Sequence, residues 1–212
     1  MFSDFAALSP LNTYKLLAAT VVPRPIAWVV TLSAAGEVNA APYSFFNVLS
    51  GDPPVIAIGI GARSATRLKD TGENIRATGQ FVVNMVTHDH AAAMNVTAIE
   101  FPHGVDELRE AGLSTLASER VAPPRIAGSP VAMECEFMQS VDLGPERAIV
   151  LGRVLAMHIA DDAVMDASRC YIDTSKLDLI GRMGGASGYA STRDPFEVPR
   201  IRVDDWVSRA AE

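Results

Sequence analysis

Apolar positions along the chain fall mostly in short runs broken by glycine, proline and acidic residues. Ile26 to Leu32, rich in β-branched and aromatic side chains, predicts a buried strand. Gly36 supplies turn chemistry and Val38 to Ala41 restarts an extended segment, so the unit predicts a β-hairpin. Pro42 blocks ladder pairing at its own nitrogen. Asp52-Pro53-Pro54 marks a turn before the apolar strand Val55 to Ile60, and Phe81 to Val86 predicts another strand. Val131, Met133, Cys135 and Phe137 alternate with Glu134 and Glu136, the period-two signature of a half-exposed strand. Ile149 to Ile159 reads as its hairpin partner through Leu143-Gly144-Pro145-Glu146.

Helical patterns are fewer. Leu11, Tyr14, Leu16 and Leu17 give residues 11–20 a short helical pattern, a lid over a barrel edge. Asp70 followed by Glu73 fits an acidic capping box, predicting a helix through Ile75 to Thr78 that Gly79 stops. Residues 91–98 and 105–111 read as further short helices. Residues 177–198 are glycine-rich and irregular, and Val203 to Val207 predict a small terminal element containing Trp206. With no regular βαβ alternation and no G-x-G-x-x-G after a strand, a Rossmann arrangement is disfavoured. The expectation is a mainly β protein, a closed antiparallel β-barrel with a few short helices, formed as a single domain over residues 1–212.

Composition narrows the partners. Hydrophobic residues at 49% and charged residues at 20% describe a globular chain. A net charge of −7 argues against nucleic acid, which needs a clustered positive face. No apolar run approaches a membrane span and no signal peptide is visible, so a soluble, cytoplasmic protein is expected. Cys135 and Cys170 are far apart, allowing one disulfide but favouring reduced thiols. His88 and His90 stand two apart, but no third ligand block supports zinc. No G-x-S-x-G elbow surrounds Ser187.

Two stretches carry candidate chemistry. Arg63, Arg67 and Lys69 collect positive charge just before a predicted helix start, whose amides and dipole suit a phosphate, with hydroxyls on Ser64, Thr66 and Thr71. The alternative is a solvated basic turn in which Asp70 takes those amides itself. Ser44-Phe45-Phe46-Asn47 sets two aromatics between a hydroxyl and an amide, suited to wrapping a flat polar ring, or else to ordinary core packing. Arg24, between two prolines, suits an ion pair at a barrel end or contact with an anion.

Five blocks in this order resemble the flavin-reductase-like, FMN-binding split-barrel family: Pro23-Arg24-Pro25-Ile26-Ala27, Ala41-Pro42-Tyr43-Ser44-Phe45-Phe46-Asn47, Lys69-Asp70-Thr71 through Asn74-Ile75, Phe81-Val82-Val83-Asn84, and Gly181-Arg182-Met183-Gly184-Gly185 before Tyr189. The resemblance implies a Greek-key split barrel, FMN, hydride transfer from NADH or NADPH to flavin N5, and a homodimer with a possible partner monooxygenase. It implies that the Lys69-Asp70-Thr71 block lies at the FMN phosphate, and the basic stretch before the helix adds Arg63 and Ser64 to the expected site. It also implies that Thr31, Ala41, Ser44, Phe45, Phe46 and Asn47 line the isoalloxazine and ribityl chain, with Tyr189 near the open ring face. No side chain need act as acid, base or nucleophile, so no catalytic residue is assigned. Two alternatives remain: a non-enzymatic FMN flavoprotein for electron transfer or storage, and a split-barrel oxidase of a pyridoxal-type phosphate ester.

Overall fold

A computed structural model describes residues 1–64, 67–144, 147–203 and 206, without the side chains of residues 62–64 and 67. Seven antiparallel strands form the main sheet: β1 (Ala27–Leu32), β2 (Val38–Tyr43), β3 (Phe46–Gly51), β4 (Pro54–Ile60), β5 (Gln80–Asn84), β6 (Val131–Asp142) and β7 (Ala148–Ile159). Their order is β2-β1-β5-β6-β7-β4-β3. The two outermost strands, β2 and β3, are joined by only Ser44 and Phe45, so the sheet must roll until its edges meet. At the connection between them, the Gly59 amide of β4 donates to the Phe45 carbonyl at 2.7 Å, and a Cβ on Gly59 would stand 3.0 Å from the Phe45 Cβ. Gly59 is thus needed for this close crossing of chains. Pro42 lies within β2 opposite Trp28, tolerated because β2 is an outermost strand.

Alternate residues of each strand face two apolar clusters. Val29, Phe46, Ile56, Ile58, Phe81, Val83 and Met133 fill the barrel interior. Trp28, Val30, Val82 and Ala132 point outward into a second cluster with Met94, Leu108, Val121 and Ile126. This outer layer corrects the expectation of a half-exposed β6: Glu134 is fully buried. Its carboxylate accepts backbone amides from Glu119, Arg120 and Val121 and pairs with His158. Burial alone would raise its pKa, but the Glu119 amide, His158 and the Arg120 amide together hold it below the ordinary carboxylate range.

The helices sit at the barrel ends. α1 (Pro10–Thr20) starts at Ser9, whose hydroxyl accepts the Asn12 amide, with proline in the first turn. α2 (Asp70–Thr78) ends at Gly79, which takes a left-handed φ of +72° and donates to the Ile75 carbonyl. Ile75 of α2 plugs the barrel interior. Gly72 permits that approach, since a Cβ there would lie 3.1–3.2 Å from Leu68 and Ile60 side-chain atoms. α3 (Ala91–Val96) and α4 (Glu107–Glu110) cover the outer face. The stretch expected to be irregular contains a small antiparallel hairpin, Ile180–Arg182 with Tyr189–Ser191. Of the β6–β7 turn, Pro145 and Glu146 lie outside the described residues, as do residues 204, 205 and 207 of the expected terminal element.

Both cysteines are free. Among the described residues, no helix is long and apolar enough to cross a membrane, and no cluster of histidine, cysteine and carboxylates is arranged to hold a metal.

Candidate functional site

The helix start at Asp70 lies at one end of a groove. A cavity of about 270 Å³ is lined by Asn39, Ala41, Pro42 and Tyr43 of β2, by Lys69, Asp70 and Thr71, and by residues 97–101 and Glu107. A second cavity of about 290 Å³ shares Pro42, Tyr43 and Ala98 with it, and continues to Ser44, Arg182, Ala186 and Tyr189. Together they make one trough along the β2 edge, from the mouth of α2 to the 180–191 hairpin.

The chemistry at the α2 mouth differs from the expected acidic capping box. Lys69, not Asp70, is the residue preceding the helix, and its side chain makes no capping bond to the first turn. Asp70 turns instead toward His103, with Oδ2 3.4 Å from Nδ1. The dipole's positive end opens beside the Lys69 ammonium. Among the described residues, Lys69 has a loose contact of 3.8 Å with the exposed Glu100.

Below this mouth a buried polar ladder sets the geometry. Asn39 donates from Nδ2 to Thr71 Oγ1 at 3.0 Å, and Asn74 donates to Thr31 Oγ1 at 3.1 Å. Thr31 is fully buried in this ladder and lines neither part of the groove. Tyr43 is buried among Thr71, Asp70 and Glu107, and burial pushes its phenol far above its ordinary pKa while Thr71 opposes the rise; among the described residues its hydroxyl has no hydrogen-bond partner of normal geometry. Glu107 accepts the Ala40 amide at 2.9 Å. Burial raises its carboxyl pKa, and nearby Asp70 adds to the rise while the Ala40 amide opposes it. The opposite wall is fixed to the barrel through Trp28, whose indole donates to Thr97 Oγ1 at 2.9 Å.

The expected site residues therefore divide. Ala41, Ser44, Lys69, Asp70, Thr71 and Tyr189 meet along the groove. Phe45, Phe46 and Asn47 line a separate apolar cavity of about 350 Å³ with Leu17, Val21 and Arg24, and Ser44 borders both. Phe46 is a barrel core residue, whereas Phe45 is exposed and packs against Tyr14 with centroids 6.1 Å apart. Asn47 spends its side-chain oxygen on the adjoining Val48 amide. The side chains of Arg63 and Ser64 lie outside the described residues, as does Thr66.

Arg24 corrects the expected ion pair. Its buried guanidinium donates to the carbonyls of Ala18, Val21 and Met183 and to Ser44 Oγ. The charge sits at the C-terminus of α1, where the helix dipole is negative. Sequence reasoning passed over Asn39, Glu107 and residues 97–101 as groove walls. Tyr43 and Arg182 lie within the stretches that carry the family resemblance, but sequence alone does not single out their side chains as groove walls. Nothing near Glu107 signals its position, which depends on where α4 docks.

A flavin reductase like domain model matches residues 19–175. Component B of nitrilotriacetate monooxygenase from Bacillus cereus is 30% identical and superposes with a TM-score of 0.87, over 93% of this chain and 98% of that one. The 2-nitrobenzoate 2-nitroreductase of Pseudomonas fluorescens is also 30% identical, with a TM-score of 0.88 over 96% and 98% of the two chains. An uncharacterized protein of Deinococcus radiodurans is 45% identical over 96% of this chain and 91% of its own length. Flavoredoxin of Desulfovibrio vulgaris, at 18% identity and TM-score 0.75 over 96% and 100% of the two chains, shares the fold.

Proposed function

The chain belongs to the flavin-reductase-like family, and from that premise we propose that it binds FMN in the β2 groove and catalyses flavin reduction by NADH or NADPH. The observation that carries the reading is the positive mouth of α2, where Lys69 keeps its side chain off the helix cap and stands at the head of a trough that ends at Tyr189. The donor set fits a phosphate: an ammonium, first-turn amides, and the Thr71 hydroxyl. The trough's β2 wall offers backbone groups at Ala41 to Ser44 for the polar edge of a flat ring.

FMN, when bound, supplies the hydride-accepting ring. The residues of this chain bind and orient. Lys69 anchors the anionic tail, the Asn39–Thr71 and Asn74–Thr31 contacts keep the α2 mouth in register with β2, and Trp28 holds Thr97 and the facing wall in place. Such positioning lowers a barrier without proton transfer by any side chain, so no acid or base is assigned.

The likeness to a monooxygenase component B supports a role in supplying reduced flavin to a partner monooxygenase. The surface that suits a homodimer surrounds the third cavity, where Leu17, Val21 and Phe45 are exposed and Tyr14 packs on Phe45. Anaerobic mixing of FMN-loaded protein with NADH and with NADPH tests the activity. Rapid bleaching of the flavin absorbance is expected with at least one of them; no bleaching with either would favour a non-enzymatic electron carrier.

A further inference from the structure

Arg182 has a role that its position in the groove does not by itself explain. Its Nη1 donates to the Gly188 carbonyl at 2.7 Å, and its Nη2 donates to those of Gly185 and Ala186 at 3.0 and 2.9 Å. The same guanidinium lies 4.9 Å from the centre of the Tyr189 ring. One side chain thus gathers three carbonyls of a six-residue turn and sets against the aromatic that follows it.

The turn is also constrained from outside. Arg182 exchanges both backbone hydrogen bonds with Arg24, at 2.8 and 3.0 Å, and Met183 donates to Gly188 at 2.9 Å. Gly184 lies flush on α1, where a Cβ would come 2.9 Å from the Ala19 Cα. Gly188 leaves room for the Gly184 carbonyl, which a Cβ would approach to 2.8 Å. Arg24 touches Met183 on this turn and Ser44 on the β2 wall, fixing the spacing between them. Tyr189 itself is 39% exposed and lines the same cavity as Pro42, Tyr43 and Ser44.

We propose that Arg182 is a positioning residue that holds residues 183–188 in one conformation and so sets Tyr189 as the outer wall of the groove, against which a planar aromatic ring bound along Pro42–Ser44 packs. This rests on the flavin reading for the identity of that ring. A lysine cannot reproduce it, because one ammonium lacks the planar fork that reaches three carbonyls while lying over a ring.

The experiment compares wild type, R182A, R182K, Y189A and R182A/Y189A by two readouts. The first is fluorescence of FMN bound to each protein, since a tyrosine packed on a flavin quenches it. Wild type should be strongly quenched, Y189A and R182A should each recover fluorescence several-fold, R182K should resemble R182A, and the double variant should exceed neither single one. The second is amide exchange over 183–189 in protein without flavin, expected to quicken at least tenfold in R182A and R182K while exchange in β5 and β6 stays unchanged. Wild-type quenching and exchange in R182A and R182K, or additive effects in the double variant, would overturn the proposal. A wild-type protein that binds no FMN would instead remove the functional reading, while the exchange result would still decide whether Arg182 holds the turn.

Discussion

Replacing Lys69 by alanine isolates the anionic anchor. The residue precedes α2 without capping it through its side chain, and among the described residues its ammonium meets the exposed Glu100 at 3.8 Å. Losing so exposed a pair should change folding stability by less than about 1 kcal/mol. Losing a charge-assisted contact to a phosphate should cost about 1.5–3 kcal/mol of binding, which is roughly a 10- to 150-fold rise in Kd. Because the Lys69 side chain is about two-fifths exposed, the loss should shrink as salt is raised. The assay is a fluorescence titration of wild type and K69A with FMN and with riboflavin, which has the ring and ribityl chain but no phosphate. FMN affinity should fall within that range while riboflavin affinity stays level. Equal losses for both ligands, or no loss for FMN, would refute the placement of the phosphate at the α2 mouth.

Other consequences follow from the packing. Thr31→Val removes the acceptor of the Asn74 amide in a fully buried position, so the unfolding free energy should fall by about 1–3 kcal/mol, with FMN affinity reduced less than in K69A; urea titration and the same fluorescence assay check both. Gly152→Ala would place a Cβ 2.3 Å from Phe81 Cζ, and overpacking should lower stability by about 1–3 kcal/mol or more, read as a drop in Tm. Glu134→Gln should cost about 3 kcal/mol at neutral pH, because three amides and His158 lose their carboxylate. The folded pKa of Glu134 lies below the ordinary glutamate value of 4.5, so its stabilisation is present above that pH and is lost as pH falls through the folded value. The gap between wild type and E134Q in urea melts should therefore narrow as the pH drops below 4.5.

Most of the framework was legible because strand runs and helix stops depend on local chemistry. The β1–β2 hairpin, the β4 run and the Gly79 stop all appear where turn residues and periodicity place them. What escaped depends on distant docking. Alternation in β6 marks two faces but cannot say that residues 119–121 return to cover the outer one, burying Glu134. A capping-box spacing cannot reveal that His103, from another loop, draws Asp70 aside. The Ser44–Asn47 block reads as one ligand wall, yet the strand's alternation and the barrel's closure send Ser44 to the groove and Phe46 to the core. Arg24 and Arg182 sit in recognisable blocks, but their partners are backbone carbonyls that sequence does not display.

The most direct measurement is a crystal structure of the protein grown with FMN. The phosphate should lie at the first turn of α2 within hydrogen-bonding reach of Lys69, with the ring along Ala41 to Ser44 and toward Tyr189. Flavin seated instead in the Phe45 cavity, or a groove filled by its own side chains, would contradict the account.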